Sequence, residues 1–158
     1  MDDDVIVFAG EAQEDPAVSS AAELKPTWKI LVVDDEEEIH RITQITLKRY
    51  RFQDRGITLL SAYSKKEAEK IIRSENDIAL ILLDVVMEED DSGLVLVEYI
   101  RKILNNILVR IVLRTGQPGK APENEVITRY DIDDYKTKPE FTAQKLFTTV
   151  TSCLRAYD

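Results

Sequence analysis

The chain has 158 residues, the length of one ordinary domain, and its 44% hydrophobic and 32% charged residues exclude a disordered protein. Its formal net charge of −9 argues against general binding to nucleic acids or anionic membranes, because both of these ligands carry negative charge themselves. No apolar run approaches the ~20 residues of a membrane span, and no signal sequence is visible. The single cysteine, Cys153, excludes an internal disulfide. We therefore expect a cytoplasmic protein without nucleic-acid or membrane partners.

An acidic segment opens the chain. Residues 1–28 contain seven acidic residues and one basic residue, whereas the remaining 130 residues contain 23 acidic and 20 basic residues. This break in composition predicts an acidic N-terminal leader over residues 1–27 and a compact domain over residues 28–158. The leader is either mobile or docked through its one apolar cluster, Val5–Phe8.

Short apolar runs predict five strands in the compact domain. They are Lys29–Val33, Ile57–Leu60, Ile78–Leu83, Val109–Leu113 and a shorter one around Ile132–Lys136. The first, third and fourth runs are nearly continuous Ile, Leu and Val, which is typical of parallel strands that are covered on both faces.

Segments with helical periodicity alternate with these strands. The predicted helices are Glu36–Tyr50, Ser64–Ser74 with Ser64 as N-cap, Ser92–Leu104, a weak one near Pro122–Tyr130, and a last one carrying Leu146, Phe147, Val150, Cys153, Leu154 and Tyr157. The first helix places Ile39, Ile42 and Ile45 on one side. The alternation predicts an open, doubly wound (βα)5 parallel sheet of the flavodoxin-like α/β type, with strand order 2-1-3-4-5.

Charged and hydroxyl side chains follow four of the strands, at the edge where open α/β sheets bind ligands. Asp34 and Asp35 end the first strand, Asp84 the third, Thr115 the fourth and Lys138 the fifth. Crowded carboxylates repel one another unless a cation lies between them, and an all-oxygen ligand set suits Mg²⁺. Asp84 could then act as nucleophile on a phosphoryl group, with the metal and Lys138 neutralising charge and Thr115 donating a hydrogen bond.

At these residues the sequence resembles the receiver domain of two-component response regulators, over about Lys29 to Tyr157. The resemblance implies that Asp84 accepts a phosphoryl group from a sensor histidine kinase or a phosphotransfer protein. It implies that Mg²⁺ is held by four groups, which are Asp34, Asp35, Asp84 and the backbone carbonyl of Val86. It also implies that Lys138 contacts the phosphoryl group.

The resemblance further implies a conformational switch. Thr115 would move toward the phosphate, Tyr135 would change rotamer, and the face formed by the fourth helix, the fifth strand and the last helix would change its contacts. The Lys138–Pro139 bond would be cis in that family. Such a domain assists its own phosphorylation and dephosphorylation and turns over no independent substrate. A second copy of the chain, in a homodimer, is a possible partner.

Three segments, LRTGQPGKAPE, YDIDDYKTK and TAQKLFT, resemble a bacterial subgroup of large regulators. In these, the receiver precedes a domain of unknown function and often a cyclic-di-GMP phosphodiesterase of the HD-GYP type. The chain is thus either an excised receiver, with a possible C-terminal output domain, or a stand-alone one. It departs from the common pattern at Glu88 and Glu140, which replace a proline and an aromatic residue, and at Arg114, where an apolar residue is common.

Two other functions fit the same residues. One is a phosphorylation-independent interaction domain that acts by dimerisation, and the other is a Mg²⁺-dependent phosphatase. The phosphatase fits less well, because such enzymes commonly need a second acid two residues after the nucleophile, where Val86 stands.

Four single residues carry further expectations. Val86 has no group to orient an attacking water, whereas Gln117 has one, and together they predict slow to moderate self-dephosphorylation. His40, alone on a helix, is interpreted as an exposed structural residue, and Cys153 as a buried apolar one.

Overall fold

The computed structural model of the chain describes residues 25–87, 92–115, 128, 132–137 and 143–158, without the side chains of residues 135–137. Several predicted features therefore lie outside the described residues. They are most of the leader, the acidic loop at 88–91, Gln117, most of the weak helix near Pro122–Tyr130, Lys138, Pro139 and Glu140.

Among the described residues, five parallel strands form one sheet. The strands are β1 (Trp28–Val33), β2 (Ile57–Ala62), β3 (Ile78–Asp84), β4 (Arg110–Thr115) and β5 (Asp134–Thr137). Their order in space is β2-β1-β3-β4-β5, and each neighbouring pair is parallel. The predicted parallel α/β sheet with order 2-1-3-4 is confirmed, and β5 pairs with the outer side of β4.

The central strand β3 explains why the chain adopts this sheet. All seven of its residues, IALILLD, are buried, as expected of a parallel strand with helices on both faces. Leu83 pairs with Val33 of β1 on one side and with Leu113 of β4 on the other. The acidic residue that ends this strand therefore lies beside the ends of two neighbouring strands.

Four α-helices are described. They are α1 (Glu37–Leu47), α2 (Lys65–Ser74), α3 (Ser92–Glu98) and α4 (Ala143–Tyr157). The predicted N-cap of α2 is confirmed, because the Ser64 hydroxyl accepts a 3.1 Å hydrogen bond from the backbone N–H of Glu67. In the described part of the chain, no helix has the length and apolar character required to cross a bilayer.

Helix α3 differs from its prediction as one continuous helix over Ser92–Leu104. It is α-helical to Glu98 and continues as a π-helical turn over Tyr99–Ile103. The wider turn is visible in the backbone, where the N–H of Leu104 donates to the carbonyl of Tyr99 at 3.0 Å.

The helices cover both faces of the sheet, and each face has its own apolar cluster. On one face, strand residues pack against α2 and α3, as shown by Leu31, Leu83, Leu113, Ala68, Leu96 and Ile100. On the other face, strand residues pack against α1 and α4, as shown by Val32, Leu82, Val112, Leu47, Val150 and Leu154. Cys153 belongs to the second cluster and is buried, as its helical spacing predicts.

The orientation of α1 differs from its apolar pattern. Ile42 and Ile45 are 49% and 67% exposed, whereas the buried residues of the helix are His40, Thr43 and Leu47. The expectation of an exposed His40 was wrong, since its side chain is only 6% exposed. Polar contacts of His40, described below, favour this orientation of the helix.

Candidate functional site

Three carboxylates meet at the carboxyl ends of β1 and β3. Asp34 and Asp35 follow β1, Asp84 ends β3, and one carboxylate oxygen from each lies within 4.8 Å of the other two. Asp34 and Asp84 are buried, whereas Asp35 is exposed. The cluster is therefore open to solvent on one side and enclosed on the other.

Local hydrogen bonds orient the two buried carboxylates. Asp34 Oδ1 accepts a 2.9 Å hydrogen bond from the backbone N–H of Glu36, and the N–H of Asp34 donates to the carbonyl of Ala62 at 3.1 Å. Asp84 Oδ1 accepts a 3.3 Å hydrogen bond from the N–H of Val86. Both side chains thus fold back on the loops that follow their strands, which fixes their direction before any ligand binds.

The donor set fits a hard divalent cation. It consists of oxygen atoms alone, and Mg²⁺ is usually held by a few carboxylates together with waters and phosphate oxygens. Three like charges at this separation also oppose one another, and a cation between them removes that repulsion. The predicted grouping of Asp34, Asp35 and Asp84 is therefore present in the structure.

His40 supports the loop that carries Asp34. Its Nε2 lies 2.7 Å from the backbone carbonyl oxygen of Asp34, and its Nδ1 lies 3.0 Å from Ser61 Oγ on β2. A carbonyl oxygen only accepts hydrogen bonds, so Nε2 carries a proton and donates it to Asp34, while Nδ1 shares a second hydrogen bond with the Ser61 hydroxyl. The ring also packs on Tyr63, with 4.1 Å between centroids.

Gly93, at the start of α3, lies against the backbone of β3. Its N–H donates a 2.9 Å hydrogen bond to the carbonyl of Val85, and an added Cβ would lie 2.7 Å from Val85 Cα and closer still to the carbonyl oxygen of Asp84. Only glycine permits this approach without a backbone shift. No pattern in the sequence marks Gly93, apart from its position shortly after the acidic loop at 88–91.

Arg114 lies beside the acidic cluster on β4. It is the register partner of Asp84, and its carbonyl accepts a 3.0 Å hydrogen bond from the N–H of Val85. Its side chain is 4% exposed. Burial lowers the pKa of the Arg114 guanidinium, while the negative charges of Asp34 and Asp84 oppose that shift.

The remaining predicted site residues are only partly described. Thr115 ends β4 one residue beyond Arg114 and is fully buried. The backbone of Tyr135 lies in β5 opposite Leu113, but its side chain is outside the described residues, as is all of Lys138. The structure thus assembles the carboxylates and places Thr115 on the strand adjacent to Asp84.

Comparisons with known proteins identify this arrangement. The sequence model of the response regulator receiver domain matches residues 30–151. The chain is 54% identical over 130 residues to the 3'3'-cGAMP-specific phosphodiesterase 2 of Vibrio cholerae, covering 82% of this chain and 25% of that protein. It is 37% identical over 132 residues to the regulatory protein VanR of Enterococcus faecium, covering 82% of this chain and 51% of the relative. The chain spans a quarter of the first relative and about half of the second.

A solved structure supports the fold independently. The signal receiver domain of an HD domain-containing protein from Pseudomonas fluorescens Pf-5 aligns with a TM-score of 0.68 at 22% identity, over 83% of this chain and 97% of that domain. The family match includes both strand ends that carry the carboxylates and the strand that ends in Thr115. The chain therefore belongs to the response regulator receiver domain family of two-component signalling.

Proposed function

We propose that Asp84 accepts a phosphoryl group from a sensor histidine kinase or a phosphotransfer protein in a Mg²⁺-dependent reaction. The observation that carries this proposal is the convergence of Asp34, Asp35 and Asp84, whose carboxylate oxygens lie within 4.8 Å of one another. Burial of Asp84 at the end of the central strand supports its role as nucleophile, because the surrounding backbone holds its carboxylate in one direction.

The transfer is a simple displacement at phosphorus. A carboxylate oxygen of Asp84 forms a bond to phosphorus while the phosphorus–nitrogen bond of the donor phosphohistidine breaks. The electron pair of that bond remains on the imidazole nitrogen, which takes a proton from solvent, and Asp84 becomes an acyl phosphate. The chain assists its own modification in this way and turns over no independent substrate.

Four groups would hold the metal. They are the carboxylates of Asp34, Asp35 and Asp84 and the backbone carbonyl of Val86, with Asp34 and Asp84 already oriented by backbone N–H groups. Bound Mg²⁺ supplies positive charge to the transferred phosphoryl oxygens. Lys138 adds a second positive charge there, and the Thr115 hydroxyl donates a hydrogen bond to the phosphoryl group once it is attached.

These contacts provide the free energy for a switch. A ligand or modification shifts an equilibrium only by its different interactions with the two states. The new dianion on Asp84 attracts Thr115 and Lys138, Tyr135 changes rotamer, and the face formed by β5, α4 and the predicted helix near Pro122–Tyr130 changes its contacts. The absence of a water-orienting side chain at Val86 gives slow to moderate self-dephosphorylation.

The wider setting of the domain is a further part of the proposal. We assign residues 28–158 to a (βα)5 receiver and residues 1–27 to an acidic N-terminal extension, in a cytoplasmic protein. The 54% identity to a quarter of the 3'3'-cGAMP-specific phosphodiesterase 2 of Vibrio cholerae supports a longer parent chain with a C-terminal output domain. The switched face contacts that output domain or a second copy of the receiver.

One experiment tests the phosphoacceptor role. The protein is incubated with acetyl phosphate, with and without Mg²⁺, and its intact mass is recorded. We expect the mass of one phosphoryl group to be added in the presence of Mg²⁺ to the wild type and not to the Asp84→Asn variant. Asp77→Asn is the matched control, because Asp77 lies just before β3 at the opposite end of the strand, and it should be phosphorylated like the wild type.

Two further measurements, of dimerisation with and without the phosphodonor and of turnover of a phosphoester substrate, separate the other functions. An unmodified wild-type chain whose dimerisation is unaffected by phosphodonor and Mg²⁺ would indicate a phosphorylation-independent interaction domain. Continued turnover of a free phosphoester would indicate a phosphatase. Mg²⁺ at ten times its dissociation constant should also stabilise the native state by about 1.4 kcal/mol, and no stabilisation at any concentration contradicts the metal site.

A further inference from the structure

Arg114 lies in one row with two of the acidic residues. Asp84 is the register partner of Arg114 across β3 and β4. On the other side of β3, Leu83 pairs with Val33, so the residues that follow them, Asp84 and Asp34, are neighbours at the ends of their strands. The row therefore runs across the ends of three adjacent strands, in the order Asp34, Asp84, Arg114.

All three side chains project from the same face of the sheet. Side chains alternate between faces along a strand, so a residue shares its face with the residue two positions earlier. The residues two positions earlier are Val32, Leu82 and Val112, and all three belong to the cluster that packs against α1 and α4. The guanidinium and the two carboxylates consequently occupy the same space above that cluster.

The charges in this space are enclosed by protein. Asp34, Asp84 and Arg114 have exposed fractions of 0%, 3% and 4%. An arginine stays protonated in proteins, and a buried charge is retained only where opposite charges compensate for the loss of water. The negative charges of Asp34 and Asp84 attract Arg114 and offset part of this loss.

We propose that Arg114 is the internal counter-ion of the acidic cluster, which offsets the charge of Asp34 and Asp84 when no metal is bound and weakens the binding of Mg²⁺ to them. The inference rests on the proposed function, because it takes this cluster as the Mg²⁺ site. In this role Arg114 is a positioning residue, which acts through Asp34 and Asp84.

Removal of the Arg114 guanidinium should destabilise the metal-free protein and should strengthen its binding of Mg²⁺. Without metal, Arg114→Met removes a positive charge that lies beside two buried carboxylates, so the variant should melt at a lower temperature than the wild type. With metal, the repulsion between one positive charge and Mg²⁺ is gone. The guanidinium and the metal would lie several ångström apart, in an effective dielectric between those of protein and water. Loss of the repulsion between them should lower the dissociation constant for Mg²⁺ by about tenfold.

The test measures Mg²⁺ binding by isothermal titration calorimetry and melting temperature in EDTA and in Mg²⁺. Arg110→Met is the matched control, because Arg110 lies at the other end of β4, pairs with Asp133 at 3.2 Å, and carries the same charge. We expect tighter Mg²⁺ binding and a larger Mg²⁺-induced rise in melting temperature for Arg114→Met alone. Arg114→Lys should restore the wild-type dissociation constant. A wild-type or weaker affinity in Arg114→Met overturns the inference.

A second variant keeps the inference testable where Arg114→Met alone does not fold. Asp34→Asn removes one of the charges that Arg114 compensates, so the double variant with Arg114→Met should fold in EDTA. If the double variant also fails to fold, Arg114 has a purely structural role and the inference is overturned.

The same measurements distinguish failure of the counter-ion role from failure of the proposed function. A wild-type chain that binds Mg²⁺ and is phosphorylated at Asp84, together with an unaltered affinity in Arg114→Met, overturns the counter-ion alone. A wild-type chain that binds no Mg²⁺ overturns both.

Discussion

His40 Nε2 lies 2.7 Å from the backbone carbonyl oxygen of Asp34, which connects helix α1 to the loop that carries the first carboxylate of the site. His40→Phe keeps an aromatic ring beside Tyr63 but removes the contacts to Asp34 and Ser61. The lost hydrogen bonds should reduce the free energy of unfolding by about 1–3 kcal/mol. Urea denaturation checks this value.

Ile42→Ala is the control for His40→Phe. Ile42 lies on the same helix but is half-exposed, so its truncation should change stability by no more than about 0.5 kcal/mol. Equal losses in the two variants would contradict a specific role for the His40 contacts.

The close approach of Gly93 to β3 makes a second prediction. In Gly93→Ala, the new methyl group meets the backbone of Asp84 and Val85, and this overpacking should cost about 1–3 kcal/mol. Because the displaced backbone carries the nucleophile, the initial rate of phosphorylation by acetyl phosphate should fall with it. Intact mass at early time points measures that rate.

Gly56→Ala is the matched control for this substitution. At Gly56 the nearest atom to an added Cβ is Arg51 Nη1, at 3.9 Å, so the methyl group fits in ordinary contact. A wild-type phosphorylation rate in Gly93→Ala, or an equal loss in Gly56→Ala, contradicts the steric account.

The sequence predicted the fold and the carboxylate cluster because both depend on local patterns. The apolar run Ile78–Leu83 indicates a strand buried on both faces, and Asp84 directly after it lies at the strand end in any parallel arrangement. The apolar run of β1 likewise places Asp34 and Asp35 at a strand end. Because β1 and β3 are adjacent, the three carboxylates meet.

The remaining features depend on atoms that are distant in sequence. The apolar pattern of α1 favoured burial of its isoleucines, but His40 is buried instead, next to acceptors on the loop after β1 and on β2. The close contact of Gly93 depends on the path of the preceding loop. The burial of Arg114 depends on the compensating charges of Asp34 and Asp84, which no helical or strand period reveals.

The thiol of Cys153 makes a third prediction. Burial raises its pKa to about 12 from an ordinary value of 9.0, with a smaller contribution from the charges of Asp133 and Asp134. Because the thiolate is the reactive form, native protein at pH 8 should react with iodoacetamide far more slowly than protein unfolded in urea. Mass spectrometry of the alkylated chain checks this, with Cys153→Ser as the unreactive control.

The same shift has a defined effect on stability. The native state keeps the thiol proton at pH values where the unfolded chain has lost it. The contribution of Cys153 to the free energy of unfolding is therefore fully present below about pH 9 and decreases as the pH rises toward about 12. The wild type should therefore lose more stability than Cys153→Ser over this interval. An equal loss in both proteins contradicts the raised pKa.

The site of phosphorylation is the most direct test of the account. Wild-type protein is treated with acetyl phosphate and Mg²⁺, reduced with borohydride, digested and analysed by tandem mass spectrometry, since reduction of an aspartyl phosphate leaves homoserine at the modified position. The account predicts homoserine at residue 84, and none in a sample prepared with EDTA in place of Mg²⁺. Homoserine at another aspartate, or none anywhere in a chain that folds and binds Mg²⁺, would contradict the assignment of Asp84 as the phosphoacceptor.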